Sequence, residues 1–322
     1  MAVGLIVDTD PGVDDAYALA VAAHSPELDL RAVTTVFGNV DLPTTTDNAG
    51  RVLGLLGRRD VPIGRGAERP LIHPTTRRAA EVHGGDGLGG TAAAFGPVGG
   101  GPAGRAIDVA TRVLEAADEP VVLAAIGPLT NVALLLATRP DLAERIGRLV
   151  VMGGALGEGG NITMGAEFNV WSDPEAARRV LVEERVPTTL VPLDLTHAVT
   201  VDEPWLDALA ASGPVGAALA GTRVPYLAHY GRRLGTPRIA IHDAVALLEA
   251  AVPGTLATVP LALEVDTSLG PARGTVLADR RPDADPSVDP DAHRVDVALP
   301  AGTDLDAVRD ALFRRLTGAD QA

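Results

Sequence analysis

The stretch DTDPGVDD, residues 8–15, places four carboxylates, Asp8, Asp10, Asp14 and Asp15, within eight positions. Like charges held that close repel, so the grouping costs stability unless a cation sits among them. Pro11-Gly12 sets a tight turn in the middle of the stretch, which lets acids on its two sides converge on one point. A site built only from oxygen donors suits a hard cation, Ca2+ or Mg2+, and lacks the nitrogen and sulfur that zinc prefers. The bland account is local: Asp8 and Asp10 cap a turn, while Asp14 and Asp15 are first-turn acids favoured by a helix dipole.

The surrounding pattern says which elements must hold these residues. Val3–Val7, Leu30–Val36, Val121–Ala125, Leu149–Met152 and Thr188–Val191 are short, apolar and mostly β-branched, and predict buried strands. Asp15–Ala23, Thr45–Leu56, Ala106–Ala116, Thr130–Ala137 and Pro174–Glu183 predict helices. Thr44 or Thr45 starts the second of these, and Asp173-Pro174 starts the last with an N-cap and a first-turn proline. Such alternation predicts an α/β fold, a mostly parallel, Rossmann-like central sheet with helices on both faces. Ligands in such sheets bind at the carboxyl ends of the strands. The polar clusters DTDPGVDD, FGN (Phe37–Asn39), IGPLTN (Ile126–Asn131) and MGG (Met152–Gly154) each follow a predicted strand, so all fall on that edge.

Two stretches read as irregular. Glu81–Gly104 is too glycine-dense for a packed element and is a candidate active-site loop, and Ala278–Arg294 is a Pro/Asp-rich solvated loop. No repeat or linker divides the chain, so residues 1–322 are read as one domain. With 46% hydrophobic but 3% aromatic residues, the core must be built from Ala, Val and Leu. The absence of cysteine excludes disulfides, thiolate metal sites and cysteine nucleophiles. All 27 basic side chains are Arg, so no Schiff base, P-loop lysine or lysine general base is available. A net charge of −15 argues against nucleic-acid binding and leaves open a small neutral ligand or a divalent cation. No basic-then-apolar leader and no apolar run of about 20 residues is present, so a soluble, cytoplasmic protein that does not engage a membrane is expected.

With these elements in place, DTDPGVDDAYAL resembles the N-terminal signature of the inosine–uridine-preferring nucleoside hydrolases. VFGNV (Val36–Val40), AIGPLTN (Ala125–Asn131), VMGGALGEGGNITMGAEFNVWSDPEAA (Val151–Ala177) and HDA (His242–Ala244) match in order, and EVHGGDGLGG (Glu81–Gly90) is similar to the family's glycine-rich loop. The resemblance runs from residue 5 to about 250 and implies the nucleoside hydrolase architecture. It also implies one Ca2+ per subunit and hydrolysis of the N-glycosidic bond of ribonucleosides to ribose and free base, as in purine or pyrimidine salvage.

Carried over by residue, the resemblance implies that Asp10, Asp15 and Asp243 bind the metal through carboxylates, with Ile126 adding its carbonyl. Many relatives carry Thr at position 126, a change that a carbonyl ligand tolerates. Asp10 is implied as the base that activates a metal-bound water, attacking opposite the nucleobase with inversion. Asp14 would bind the ribose 2′- and 3′-hydroxyls, with Asn39, Met152, Asn161, Glu167 and Asn169 also at the sugar or metal site and Glu167 at the 5′-hydroxyl. His83 would touch substrate, His242 would contact the base and protonate the leaving group, and Tyr226 and Tyr230, four apart on one helical face, would line the base pocket. Asp8 is expected to be structural, pairing with backbone N–H groups. A homodimer or homotetramer is implied by the resemblance alone.

Three other readings keep some claim. Asp8-Thr9-Asp10 after a strand also fits a haloacid-dehalogenase-like phosphatase, but that class uses a lysine to steady the phosphate. A nucleoside or ribose binder without turnover would be free to lose Asp10. Hydrolysis of another N-riboside, such as nicotinamide riboside, would use every residue named above.

Overall fold

The computed structural model describes residues 2–73, 77–99, 101–281 and 293–319. Strands β1 (Val3–Thr9), β2 (Leu28–Thr35), β3 (Ile63–Arg65), β4 (Gly104–Arg105), β5 (Val121–Ala125), β6 (Ile146–Met152) and β7 (Thr188–Val191) carry the first part of the chain. A short antiparallel pair follows, β8 (Thr200–Asp202) with β9 (Arg238–Ala240), then β10 (Thr258–Leu261), the pair β11 (Leu263–Val265) and β12 (Val276–Ala278), and β13 (Val295–Ala298). The main sheet has the order β10-β13-β7-β6-β5-β1-β2-β3-β4. Its pairings are parallel except that of β10 with β13. The expected α/β fold with a mostly parallel sheet is what the chain forms.

The sheet is buried on both faces, which is why its strands are apolar runs rather than alternating ones. Along β1, Leu5 and Val7 join one core layer and Ile6 joins the other, the two-residue period of a strand. The first layer is closed by the helices Val13–His24, His242–Ala251 and Leu305–Thr317, the second by Ala106–Ala116 and Thr130–Thr138. From β1 the chain moves outward through β2, β3 and β4, then returns to place β5 on β1's other side. The strand order therefore reverses between β1 and β5, and the crevice at their carboxyl ends is where ligands bind in open α/β sheets.

Several local expectations shift. The first helix begins at Val13, two residues early, because Gly12 can serve as its extended N-cap residue. The second begins at Leu42, capped by Asp41 accepting from Thr44 N at 2.9 Å, rather than by Thr44 or Thr45. Asp173 caps the helix at Pro174 as expected, accepting from Ala176 N at 3.1 Å, but that helix widens to π-helical geometry over Arg179–Glu183. The described residues of Glu81–Gly104 are more ordered than the glycine content suggests. His83, Leu88 and Phe95 are buried, and four glycines of the segment between Gly84 and Gly90 hold positive φ so that the loop can fold tightly on itself. Most of Ala278–Arg294, the expected solvated loop, lies outside the described residues. Among the described residues no helix is long and apolar enough to cross a membrane.

Candidate active site

The carboxyl end of β1 delivers Asp8 and Thr9 to opposite faces, and the Pro11-Gly12 turn swings Asp14 and Asp15 into the first turn of the following helix. Asp15 is wholly buried. Its carboxylate accepts from Gly12 N at 2.8 Å, from Asn39 Nδ2 at 3.1 Å and from the Thr9 hydroxyl. Asp10 Oδ2 accepts from Asn39 N at 2.7 Å, while its Oδ1 is buried with no hydrogen-bond partner among the described residues. Asn39, from FGN, thus ties the two acids together. Backbone must approach closely here: a Cβ on Gly38 would lie 1.9 Å from Asp10 Oδ2, and one on Gly12 would lie 2.4 Å from His83 Nδ1.

The helix His242–Ala251 packs beside Val13–His24 and brings in Asp243 from more than two hundred residues away. Oxygens of Asp14, Asp15 and Asp243 approach within 4.8 Å of one another, and Asp10 adds its charge to the group. Asp15 and Asp243 of the expected ligand set are thus brought together, with Asp14 in the same group and Asp10 alongside. Burial raises all four carboxyls, and repulsion adds to it for three: Asp14 rises to about 7, Asp10 and Asp243 well above the ordinary range, and Asp15 rises by burial. Buried carboxylates that repel, one oxygen without a partner, and all-oxygen donors fit a hard cation. The cluster could hold a metal ion.

Beyond the acids opens a cleft, concave and partly open to solvent, of the kind that takes small molecules. Asp14, Asn39, His83, Ile126, Met152, Asn161, Glu167, Asn169, Tyr226, Tyr230, His242 and Asp243 all line it, so the expected substrate residues are gathered in one place. Their hydrogen bonds show which atoms are already committed. Asn161 Oδ1 accepts from Phe168 N at 2.8 Å, and Asn169 Nδ2 donates to the carbonyls of Ile126 (2.9 Å) and Met152 (3.2 Å). Glu167 caps the Phe168–Ser172 helix, accepting from Asn169 N, Gly154 N and Val170 N at 2.8–3.1 Å.

The far wall is aromatic. Tyr226 lies edge-on to His83 at 5.3 Å and 5.1 Å from Tyr230, and both phenols are held protonated by burial and by the Asp14 and Asp243 charges. His83 Nδ1 accepts from Val13 N at 3.0 Å, which leaves its proton on Nε2, and burial lowers its pKa to about 3. His242 is likewise kept neutral by burial, and then by the neighbouring His197. Its Nδ1 meets Thr196 Oγ1 at 2.6 Å and its Nε2 meets the Tyr230 hydroxyl.

One expectation changes. Asp8 does not pair with backbone N–H groups: Thr34 Oγ1 and Asn131 Nδ2 donate to it on the face of the sheet away from Asp15. Asn131 also donates to Thr35 O and accepts from Ala67 N, so it pins the strand ends. Thr196, which steadies His242, and Arg77 and Arg78 at the cleft were not anticipated. Thr196 follows β7 in the same way that the other polar clusters follow their strands, and that position was the available signal.

The model of the inosine-uridine preferring nucleoside hydrolases matches residues 5–310. The chain belongs to that family. The pyrimidine-specific ribonucleoside hydrolase RihA of Enterobacter sp. (strain 638) is 38% identical over 284 residues, covering 87% of this chain and 88% of that protein. RihA of Citrobacter koseri is 36% identical over 284 residues, covering 87% and 89%. Among solved structures, the plant nucleoside hydrolase PpNRh1 superposes with a TM-score of 0.89 at 31% identity, over 98% of this chain and 99% of that one. The purine-preferring ribonucleoside hydrolase from Gardnerella vaginalis gives 0.86 at 27%, over 99% and 100%. Membership makes this chain part of an enzyme family of N-glycosyl hydrolases, and the nucleoside hydrolase matches continue past residue 250 into the C-terminal strands.

Proposed function

We propose that this nucleoside hydrolase family member cleaves the N-glycosidic bond of ribonucleosides to ribose and free base in a Ca2+-dependent reaction. The observation that carries the reading is the buried carboxylate cluster, with Asp10 Oδ1 unpartnered, beside a cleft whose other wall is neutral His and Tyr side chains. Asp10, Asp15 and Asp243 with the Ile126 carbonyl would hold the cation. Bound there, Ca2+ supplies the charge that holds a sugar diol and acidifies a water.

The chain's own residues do the rest. Asp14 accepts from the 2′- and 3′-hydroxyls; Asn161 offers its amide N–H groups and Asn169 its Oδ1, since the opposite end of each amide is committed. Glu167 retains lone pairs for a 5′-hydroxyl. As the C1′–N bond breaks, positive charge grows on the sugar, and the nearby carboxylates favour it. Asp10 takes the proton of the attacking water, which approaches opposite the base and inverts the anomeric centre. The departing base takes the proton of the Tyr230 hydroxyl, which His242 and Thr196 hold in place, and the proton that Asp10 takes from water returns through solvent to restore the phenol. In this reading His242, whose outer nitrogen is engaged by Tyr230, acts through that phenol. Uridine and cytidine are placed first, on the names of the RihA relatives.

Ribose release from uridine, cytidine, inosine and adenosine, with and without a calcium chelator, tests the reading. Release from none of them, but release from nicotinamide riboside, would move the substrate and keep the site. His242→Ala is expected to lower kcat about 100-fold on uridine, and to change little on p-nitrophenyl riboside, whose leaving group needs no proton. Equal losses would reduce the imidazole to a positioning role. Gly38→Ala, which forces its Cβ against the Asp10 carboxylate, is expected to weaken Ca2+ binding at least about tenfold, read by calorimetry; unchanged affinity would remove Asp10 from the cation site.

A further inference from the structure

The loop that follows β6 carries Asn161 into the cleft, and among the described residues two other segments hydrogen-bond it through side chains near the leaving-group pair. Leu156 N, Gly157 N and Glu158 N donate to the Asp194 carboxylate at 2.9, 2.6 and 3.1 Å. Glu158 Oε2 meets His197 Nδ1 at 2.6 Å, and Arg233 Nη2 donates to Gly160 O at 3.0 Å. Asp194 and His197 flank Thr196, and Arg233 is one helical turn from Tyr230. Thr196 and Tyr230 are the two partners of His242. One pair of segments therefore holds both the sugar-side loop and the leaving-group pair.

His197 is the joint between them. Its side chain is 6% exposed against 49% for Glu158, and its ring lies edge-on to His242 at 5.4 Å and to Tyr230 at 6.4 Å. Nε2 is buried with no partner among the described residues, so Glu158 supplies the ring's one polar contact. A buried imidazole stripped of that contact has both nitrogens unsatisfied and must shift. Thr196 is its chain neighbour and would move with it, and His242 with Thr196.

We propose that Glu158 and His197 are positioning residues: their contact couples the sugar-binding loop to the Tyr230–His242 pair, so that seating the ribose sets the group that protonates the base. The inference rests on the proposed hydrolysis of ribonucleosides. Its test is steady-state kinetics of Glu158→Ala on uridine and on p-nitrophenyl riboside, in the full chain with Ca2+. KM is expected to rise on both substrates, because the loop loses an anchor. kcat is expected to fall about tenfold on uridine and to hold on the activated riboside. Glu158→Gln, whose amide oxygen still accepts from Nδ1–H, is expected to recover most of the loss. In a His242→Ala background the kcat effect of Glu158→Ala on uridine should vanish while the KM effect stays.

Equal kcat losses on the two substrates, no loss on uridine, or an undiminished loss in the His242→Ala background would each overturn the coupling. Should Glu158→Ala not fold, Glu158→Asp breaks the same contact by shortening the side chain and is read identically. If the unaltered chain releases no ribose from any N-riboside, nicotinamide riboside included, the reading of the site falls and the coupling with it. If it does release ribose and kcat is insensitive to Glu158, the coupling alone falls.

Discussion

Asp10→Asn is expected to leave the fold intact and to lower kcat on uridine at least about 1,000-fold, a loss of about 4 kcal/mol in transition-state stabilisation. The amide is isosteric, and its oxygen can still accept from Asn39 N as Asp10 Oδ2 does at 2.7 Å. What disappears is the capacity to take a proton, at a position where Oδ1 is buried and uncommitted. The fold should not suffer. Asp10 is raised by burial and by repulsion from Asp15 and Asp14, so a neutral side chain relieves the cation-free protein. The measurement is kcat on uridine beside a thermal melt. Activity within about tenfold of the parent would exclude Asp10 as the base, because general-base catalysis is worth at least about 100-fold.

Removal of the cation is the second large effect, and it reaches stability as well as turnover. In the cation-free chain, burial holds the Asp8 and Asp14 carboxyls at about 7. Unfolded, they titrate near 4. Between those values the folded chain binds protons that the unfolded chain has released, so stability present below about pH 4 is lost as pH rises toward 7. The melting temperature in chelator is therefore expected to fall from pH 5 to pH 8. Ca2+ added at pH 7.5 should reverse the fall. A cation at 100 times its Kd adds about 2.7 kcal/mol, or roughly 4 °C for a chain of this size, and its binding should release protons. Ribose release should disappear in chelator and return with Ca2+. A melt that ignores both pH and Ca2+ would show that the carboxylate cluster is not a cation site.

The local pattern of the chain carried a good deal of this. Strand β1, the turn at Pro11-Gly12 and the acids behind it are consecutive, and backbone geometry over so few residues leaves them little choice of arrangement. A parallel sheet buried on both faces shows itself as apolar runs, and the polar residues after each run must collect at one edge. Asn39, Ile126 and Met152 were legible for that reason. Helix starts were less so, since Asp41 and Thr44 both satisfy the rule for an N-cap and only the folded backbone shows which one accepts. Order in Glu81–Gly104 was hidden as well, because glycines that suggest a loose loop are the residues that allow a tight one.

The sequence by itself thus determined the fold class, the acidic turn and the chemistry its oxygens suit, all from residues close together in the chain. Only the tertiary structure decided which acids meet. Asp243 joins Asp14 and Asp15 because two helices pack side by side, while Asp8, two residues from Asp10, faces Thr34 and Asn131 on the sheet's other side. It decided too that β13 enters the sheet between β7 and β10, and that Tyr230 and Thr196 grip His242 from two segments. The reason is physical. Turns, alternation and capping act between neighbours and leave a mark in the local pattern, whereas helix packing and strand insertion depend on shape and buried area between segments far apart.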